Sequence, residues 1–315
     1  MKCRSSNYAV DVEKLVKIYG EVRALKGVSF KVRWGEIFGF LGPNGAGKTT
    51  TVKVLCGLAK MNGGHVEVAG YEIPRELKKV KEVIGVVPDT SNLYAELSCF
   101  ENLVFAAKMY GIGKEKGLKR ARELLEFFGL EKRANTKFKD LSKGLKRRLT
   151  LAAALVHEPR ILFLDEPTLG LDVKSRRRVW GLIKKLNSLG LTIFLTTHNI
   201  SEAFSLCHRI AIINKGVIVA EGSPAELRKR FAASETIEIS FTPAPPLSAV
   251  SQLRGILSAR RSGESFEIIV GDIVLAIKSL AEFAEKNGLK IDYIISRGVE
   301  AEEVFLKILG ESYVE

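Results

Sequence analysis

Gly42, Gly47, Lys48 and Thr49 stand in the order G-x-x-x-x-G-K-[ST] within FLGPNGAGKTTTVKVL, a spacing suited to holding phosphate. Glycines let the backbone curl until successive N–H groups point inward at anionic oxygens. A helix expected to begin near Lys48 adds its positive dipole end to the same place. Lys48 would reach the β- and γ-phosphates, and the Thr49 hydroxyl would ligate Mg²⁺. Pro43, Asn44, Gly45, Ala46 and Thr50 complete the expected cradle for a nucleoside triphosphate. A second constellation is ILFLDEP, an apolar run ending in Asp165 and Glu166. Carboxylates at the C-terminal edge of a buried strand lie where open parallel sheets bind ligands. Asp165 suits the Mg²⁺ shell, and Glu166 suits a general base acting on the attacking water.

The elements around these residues make the chemistry credible. GEIFGFLG is expected to be a buried strand entering the loop, and TTTVKVLCGL a helix leaving it. NYAVDVEKLVKIYG and VRALKGVSFKVRWGEI alternate apolar and polar residues, which predicts antiparallel strands, and GGHVEVAGYEI and KKVKEVIGVVP read as further strands. The pattern turns helical from about Leu93 to Leu155 and then returns to strands in RILFLDEP, LTIFLTTH and RIAIINKGVIVAEG. Strands alternating with helices predict an α/β fold with a mostly parallel sheet. A break at Gly222, Ser223 and Pro224 precedes a short basic helix and a tail with its own pattern. There ETIEISF, SFEIIVG and LKIDYIISRG are strand candidates and IVLAIKSLAEFAEKNG and AEEVFLKILG are helical, a small α+β, ferredoxin-like arrangement. Residues 1–231 are thus expected to form a nucleotide-binding domain, with a helical subdomain over about 90–155, and residues 232–315 an accessory domain.

Composition sets bounds on function. A chain of 315 residues, 46% hydrophobic and 27% charged, is expected to hold about two domains. No apolar run is long enough to span a bilayer, and MKCRSSNYAV lacks the apolar stretch of a secretion signal, so a cytoplasmic location is expected. Four scattered cysteines show no metal-ligand spacing. The 49 basic against 36 acidic residues, a net charge of +13, are compatible with nucleic acid, an anionic membrane face or a triphosphate-binding surface.

DLSKGLKRRL narrows the choice. It resembles the signature segment of the ABC ATPase family, usually L-S-G-G-Q, with Leu141, Ser142 and Gly144 matching and Lys143 and Leu145 departing. In that family Ser142 and the Gly144 amide would bind the γ-phosphate of an ATP held by a second subunit. The resemblance, which covers residues 8 to about 230, implies further roles in chain order. Tyr19 would stack on adenine, Asp172 in LGLD would lie at the dimer interface, and His198 in LTTHN would contact the γ-phosphate and steady the water. Where the family has a glutamine that ligates Mg²⁺ and senses the transmembrane partner, this chain has Asp89. His65, His157 and His208 have no such support and are expected to be structural or surface residues.

The tail, ending VEAEEVFLKILG, is similar to the domain appended to ATPases of ABC-2 type exporters, including the daunorubicin-resistance group. The implied protein is an ATP- and Mg²⁺-dependent motor that dimerises and docks on separately encoded permease subunits at the cytoplasmic face of the membrane. The other reading is a non-transport ABC ATPase acting on ribosomes or nucleic acid. Such proteins usually carry two fused ATPase domains or long inserted coiled coils, and this chain has one GPNGAGKTT and a short insertion. Its basic runs also lack interleaved aromatics for base stacking, so no nucleic-acid partner is expected.

Lys48→Ala should abolish useful ATP binding, because a charge-assisted contact among phosphates is hard to replace. Calorimetric titration with ATP checks this, and wild-type affinity in the variant would refute the phosphate-loop assignment.

Overall fold

Alternation of apolar and polar residues shapes the start of the chain into β1 (Tyr8–Tyr19) and β2 (Val22–Arg33), which pair antiparallel. The computed structural model describes residues 7–231, 235–297 and 301–309. The chain divides into two compact units, Met1–Pro224 and Ala225–Glu315.

In the first unit β3 (Ile37–Leu41) leads through the glycine loop into α1 (Lys48–Leu55). Next come β4 (Gly63–Val68), β5 (Tyr71–Ile73), α2 (Leu77–Val83) and β6 (Ile84–Val87). Three helices follow: α3 (Cys99–Met109), α4 (Lys114–Phe127) and α5 (Lys143–Ala154). The α3 start is fixed by a reciprocal capping box between Ser98 and Glu101. Then come β7 (Ile161–Asp165), α6 (Val173–Ser188), β8 (Thr192–Thr197), α7 (Ile200–Leu206) and the hairpin strands β9 (Arg209–Asn214) and β10 (Val217–Gly222).

Two sheets result. One is antiparallel, in the order β2-β1-β4-β5. The other runs β10-β9-β3-β8-β7-β6, with β9, β3, β8, β7 and β6 parallel and β10 antiparallel at its edge. The strands β3, β7 and β8 are buried at every residue, as expected of parallel strands covered on both faces. A cluster of phenylalanines joins the sheets. Phe30 from β2 lies 5.6 Å from Phe38, 5.3 Å from Phe40 and 5.7 Å from Phe194 between ring centroids. Phe163 adds a fifth ring, 5.6 Å from Phe194.

One expected strand is mostly a helix. KKVKEVIGVVP reads as extended in the sequence, yet Leu77–Val83 is α2 and only Ile84–Val87 is a strand. Leu77, Val80 and Val83 recur at spacing three and face the core, so the helical stripe prevails over the weaker alternation.

The helix α8 (Pro224–Phe231) starts at the last residue of the first unit, and the second continues through β11 (Glu235–Thr242), α9 (Leu247–Ser251), β12 (Ile256–Ser262), β13 (Ser265–Val270), α10 (Ile273–Lys286), β14 (Lys290–Arg297) and α11 (Ala301–Leu309). Its sheet is antiparallel, in the order β12-β13-β11-β14. It has its own core, in which Ile237, Ile239, Phe266 and Ile268 pack on Ala276 and Leu280 of α10. Neither β12 nor α9 is among the elements expected from the sequence: GILSARRSG carries two arginines and few apolar residues, because β12 is an edge strand.

Phe194→Ala should cost about 3–5 kcal/mol, since the ring touches four aromatic neighbours and the cavity cannot collapse between two sheets. The check is the shift in urea midpoint at constant slope.

Candidate functional site

Parallel pairing brings the chemistry together. Leu41 at the end of β3 pairs with Thr197 of β8, and Asp165 at the end of β7 pairs with Thr196. The glycine loop therefore leaves the sheet beside Asp165 and Glu166. Gly42 N–H donates to the Thr197 carbonyl at 3.2 Å. A Cβ at Gly42 would sit 2.2 Å from the Ile213 carbonyl oxygen, and Gly47, at φ 112°, would press on Leu25 and Ala24. Only glycine lets the loop lie this close to β2 and β9.

Ala24, Asn44, Gly45, Gly47, Lys48, Thr49, Thr50, Asp89, Glu166, Leu169 and His198 line one cleft of about 360 Å³. Lys48 is buried, and its Nζ donates to the carbonyls of Gly42 at 2.8 Å and Pro43 at 3.1 Å. It also lies 3.3 Å from Glu166 Oε1. The other Glu166 oxygen is 2.9 Å from His198 Nδ1. Thr49 donates its hydroxyl to Asp165 Oδ1 at 3.2 Å, and Thr196 donates to the same oxygen. Burial pushes the Asp165 carboxyl above its ordinary range, and Asp89 and Glu166 add to the rise, while the two threonine hydroxyls oppose it.

Glu166 carries backbone strain. Its φ is +47°, a left-handed conformation that costs a non-glycine residue on the order of 1–3 kcal/mol. Both sides of the residue are held. Its N–H donates to the Thr196 carbonyl at 3.1 Å, and its own carbonyl accepts from Arg147 at 2.6 Å.

Other expected residues stand outside this cleft or at its rim. Tyr19, at the end of β1, is 46% exposed, with Lys17 Nζ 4.4 Å from its ring centroid. Ser142 caps α5 by accepting from the Leu145 N–H, and Asp172 caps α6 by accepting from the Ser175 N–H. The two caps are neighbours, since a Cβ at Gly144 would lie 2.6 Å from Ser175 Oγ. Ser142, Gly144 and Ser175 line a separate cavity of about 550 Å³ with Arg148 and Arg178. Asp89 is exposed at the rim of the first cleft, and its Oδ1 accepts from the Thr90 N–H at 2.7 Å. His157 stacks on Tyr110 and contacts the Ile84 carbonyl, His208 Nδ1 accepts from the Ile37 N–H, and His65 lies beside Glu67. None of these three histidines lines the cleft.

Three side chains around the site escaped sequence reasoning. Thr196 reaches Asp165 only through the register of β7 and β8. Arg147 stands among other cations in KRRL with nothing in the run to mark it, yet it is buried against Pro88 and Glu166. Glu202, fully buried on α7, accepts at Oε1 from Thr168 at 2.7 Å and from the Trp180 indole at 2.9 Å, and burial raises its carboxyl. Its signal, an acid beside apolar residues in SEAFSL, is weak.

Comparison with known proteins agrees with this geometry. The ABC transporter family matches residues 25–169. The linearmycin resistance ATP-binding protein LnrL of Bacillus subtilis (strain 168) is 42% identical over 233 residues, covering 74% of this chain and 75% of that protein. The chain belongs to the ABC transporter ATP-binding family. It is an ATPase coupled to transport. Over 303 residues it is 38% identical to the Nod factor export ATP-binding protein I of Paraburkholderia xenovorans (strain LB400), covering 96% of this chain and 97% of that one. Among solved structures, cbiO1 from Clostridium perfringens, part of an ABC transporter complex, superposes with a TM-score of 0.66 at 30% identity, covering 70% of this chain and 91% of that one. A dimeric ATP-binding cassette bound to ADP and Pi gives a TM-score of 0.62 at 32% identity, covering 68% of this chain and 98% of that one. The architecture is the phosphate-loop fold of this family with an additional C-terminal antiparallel sheet. Among the described residues no helix is long and apolar enough to cross a membrane.

Gly42→Ala should weaken ATP binding at least tenfold and lower stability by about 1–3 kcal/mol, because the new methyl displaces the loop from Ile213. Nucleotide titration alongside chemical unfolding reads both effects.

Proposed function

We propose that the chain powers export: two copies close on two ATP molecules, and their hydrolysis resets a separately encoded permease. The carrying observation is the Glu166 carboxylate, with Lys48 at 3.3 Å and His198 at 2.9 Å, beside Thr49 and Asp165. Loop amides from Gly42 to Thr50 and the Lys48 ammonium would take the phosphates. Lys48 then exchanges Glu166 for phosphate oxygens, which frees the carboxylate for water. Glu166 accepts a proton as the water oxygen bonds to the γ-phosphorus and the bond to the bridging oxygen breaks, giving ADP and phosphate. His198 orients Glu166 and contacts the γ-phosphate.

The donor set fits Mg²⁺. Among the described residues no three His, Cys, Asp or Glu could together hold a metal. The Thr49 hydroxyl with Asp165 and Asp89 suits an ion that takes one or two carboxylates and fills its shell with phosphate oxygens and water. When bound, Mg²⁺ would neutralise charge developing on the β- and γ-phosphates. The exposed position of Asp89 favours contact through a water, since its side chain is one methylene shorter than glutamine.

The remaining roles follow the dimer. Ser142 and the Gly144 amide would meet the γ-phosphate bound by the partner, with Asp172 near the interface and Tyr19 on adenine. The separate cavity at Ser142 supports this reading, because it faces no phosphate loop of its own chain. The permease would dock at the helices within about 90–155, where Tyr94, Phe105, Met109 and Tyr110 line a groove of about 240 Å³ and Met109 is 70% exposed. The protein would then work at the cytoplasmic face of the membrane. No role with nucleic acid is needed. Relatives named for Nod factor export and linearmycin resistance favour outward transport. We take residues 1–231 as the ATPase domain and 232–315 as an accessory domain that helps the pair associate or regulates turnover. The β-α-β-β-α-β succession from β11 to β14 supports a ferredoxin-like assignment for it.

Glu166→Gln tests the proposal. It should bind MgATP and hydrolyse it at least about a hundredfold more slowly, accumulating as a dimer in size-exclusion chromatography with ATP. A variant that stays monomeric at high concentration, or that keeps its turnover, would overturn the shared-site mechanism.

A further inference from the structure

Arg147 is one of the few buried cations of the ATPase unit, at 8% exposure, and its recorded hydrogen bonds go to backbone carbonyls. One terminal nitrogen donates to the Pro88 carbonyl at 2.6 Å, and the other to the Glu166 carbonyl at 2.6 Å and the Asp89 carbonyl at 3.5 Å. A planar fork with fixed donors suits three converging acceptors, as a single flexible ammonium does not. The side chain rises from the second turn of α5, the helix that Ser142 caps.

Its partners are unusual in kind. Glu166 holds a left-handed φ of +47°, and a strained residue persists only where its surroundings hold it from several sides. Thr196 takes the N–H of Glu166, and Arg147 takes its carbonyl. Pro88 and Asp89 leave β6 as a turn whose Asp89 side chain bonds only to the adjoining Thr90 N–H among its recorded contacts. Arg147 is thus the link between the strained Glu166 peptide, the Asp89 turn and the helix begun by the signature segment. Burial lowers the guanidinium pKa, while Asp89, Glu202, Asp165 and Glu166 oppose that effect. The surrounding carboxylates favour a charged clamp over a neutral filler.

We propose that Arg147 is a positioning residue for ATP hydrolysis, holding the Glu166 peptide and the Pro88–Asp89 turn in one register with α5. The inference rests on the reading of Glu166 and Asp89 given above. Movement of α5 is then transmitted to both carboxylates at once, through hydrogen bonds to their backbones. Arg147 touches no phosphate in this scheme.

Two readouts on the full-length chain test it, with Arg147→Met and Arg147→Lys. Hydrogen–deuterium exchange without nucleotide should quicken in the peptides carrying Asp89–Thr90 and Glu166–Thr168, and stay unchanged in β8 around Phe194. Single-turnover hydrolysis at saturating MgATP should fall about tenfold or more in Arg147→Met, with nucleotide affinity retained, and Arg147→Lys should lie between it and the parent. In an Asp89→Ala background the Arg147→Met loss should shrink, since the turn that Arg147 holds then carries no carboxylate left to position. Should Arg147→Met fail to fold, Arg147→Lys alone carries both readouts, and an exchange pattern and turnover equal to the parent's would overturn the proposal. Uniform exchange across β8 and the two turns would mark Arg147 as structural filling and overturn it as well. Full turnover in Glu166→Gln would instead sink the underlying catalytic reading, whereas an inactive Glu166→Gln beside a fully active Arg147→Met sinks only the role of Arg147.

Discussion

Asp165 pairs with Thr196 across β7 and β8, and Leu41 pairs with Thr197 across β8 and β3. This three-strand register decides where the site lies. Side chains alternate along a strand, so a slip of one residue would turn Asp165 away from Thr49 and Thr196. The register is guarded by burial of all three strands and by the phenylalanine cluster beneath them. Because β7 and β8 end level with β3, the phosphate loop, the carboxylates and His198 emerge together at one edge. No long-range folding of loops is needed to gather them.

Charge then shapes what that edge can do. Asp89, Asp165 and Glu166 crowd a space in which Lys48 is the nearest cation, with Arg147 behind it. Burial raises the proton affinity of Asp165, and the neighbouring Asp89 and Glu166 add to that rise. In the mechanism proposed above, a cation at Thr49 and Asp165 would offset these negative charges while meeting the phosphates. Attraction for the nucleotide and preparation of the base would then be one electrostatic event. The net charge of +13 acts in the opposite sense on assembly, since two such chains repel until salt, nucleotide or another subunit offsets it.

Much of this was legible in the sequence because it is local. The glycine loop is a contiguous run, its strand and helix adjoin it, and ILFLDEP announces its own place at a strand end. The tail disclosed its separate pattern for the same reason. What could not be read is what arises between segments distant in sequence. Thr196 acquires meaning only from pairing with Asp165, and Arg147 only from the approach of Pro88 and Glu166. In α2 the local signal was ambiguous: KKVKEV has too few apolar residues for a period to dominate, and packing of Leu77, Val80 and Val83 settles it. The positive φ of Glu166 left no trace in residue type, since nothing in LDEP distinguishes a strained acid from a relaxed one.

The hydrogen bond from Trp180 to Glu202 has an optical consequence. The chain has two tryptophans, and both stand in the first unit. Trp34 lies under the Arg160 guanidinium at 4.2 Å, close to the β2–β3 turn. Trp180 is tied to α7, the helix that follows His198. Both indoles thus lie outside the second unit, which carries tyrosine and phenylalanine as its aromatic chromophores. One of the two indoles is hydrogen-bonded to the helix that follows His198, so a shift of that helix would be read in native emission without an added label.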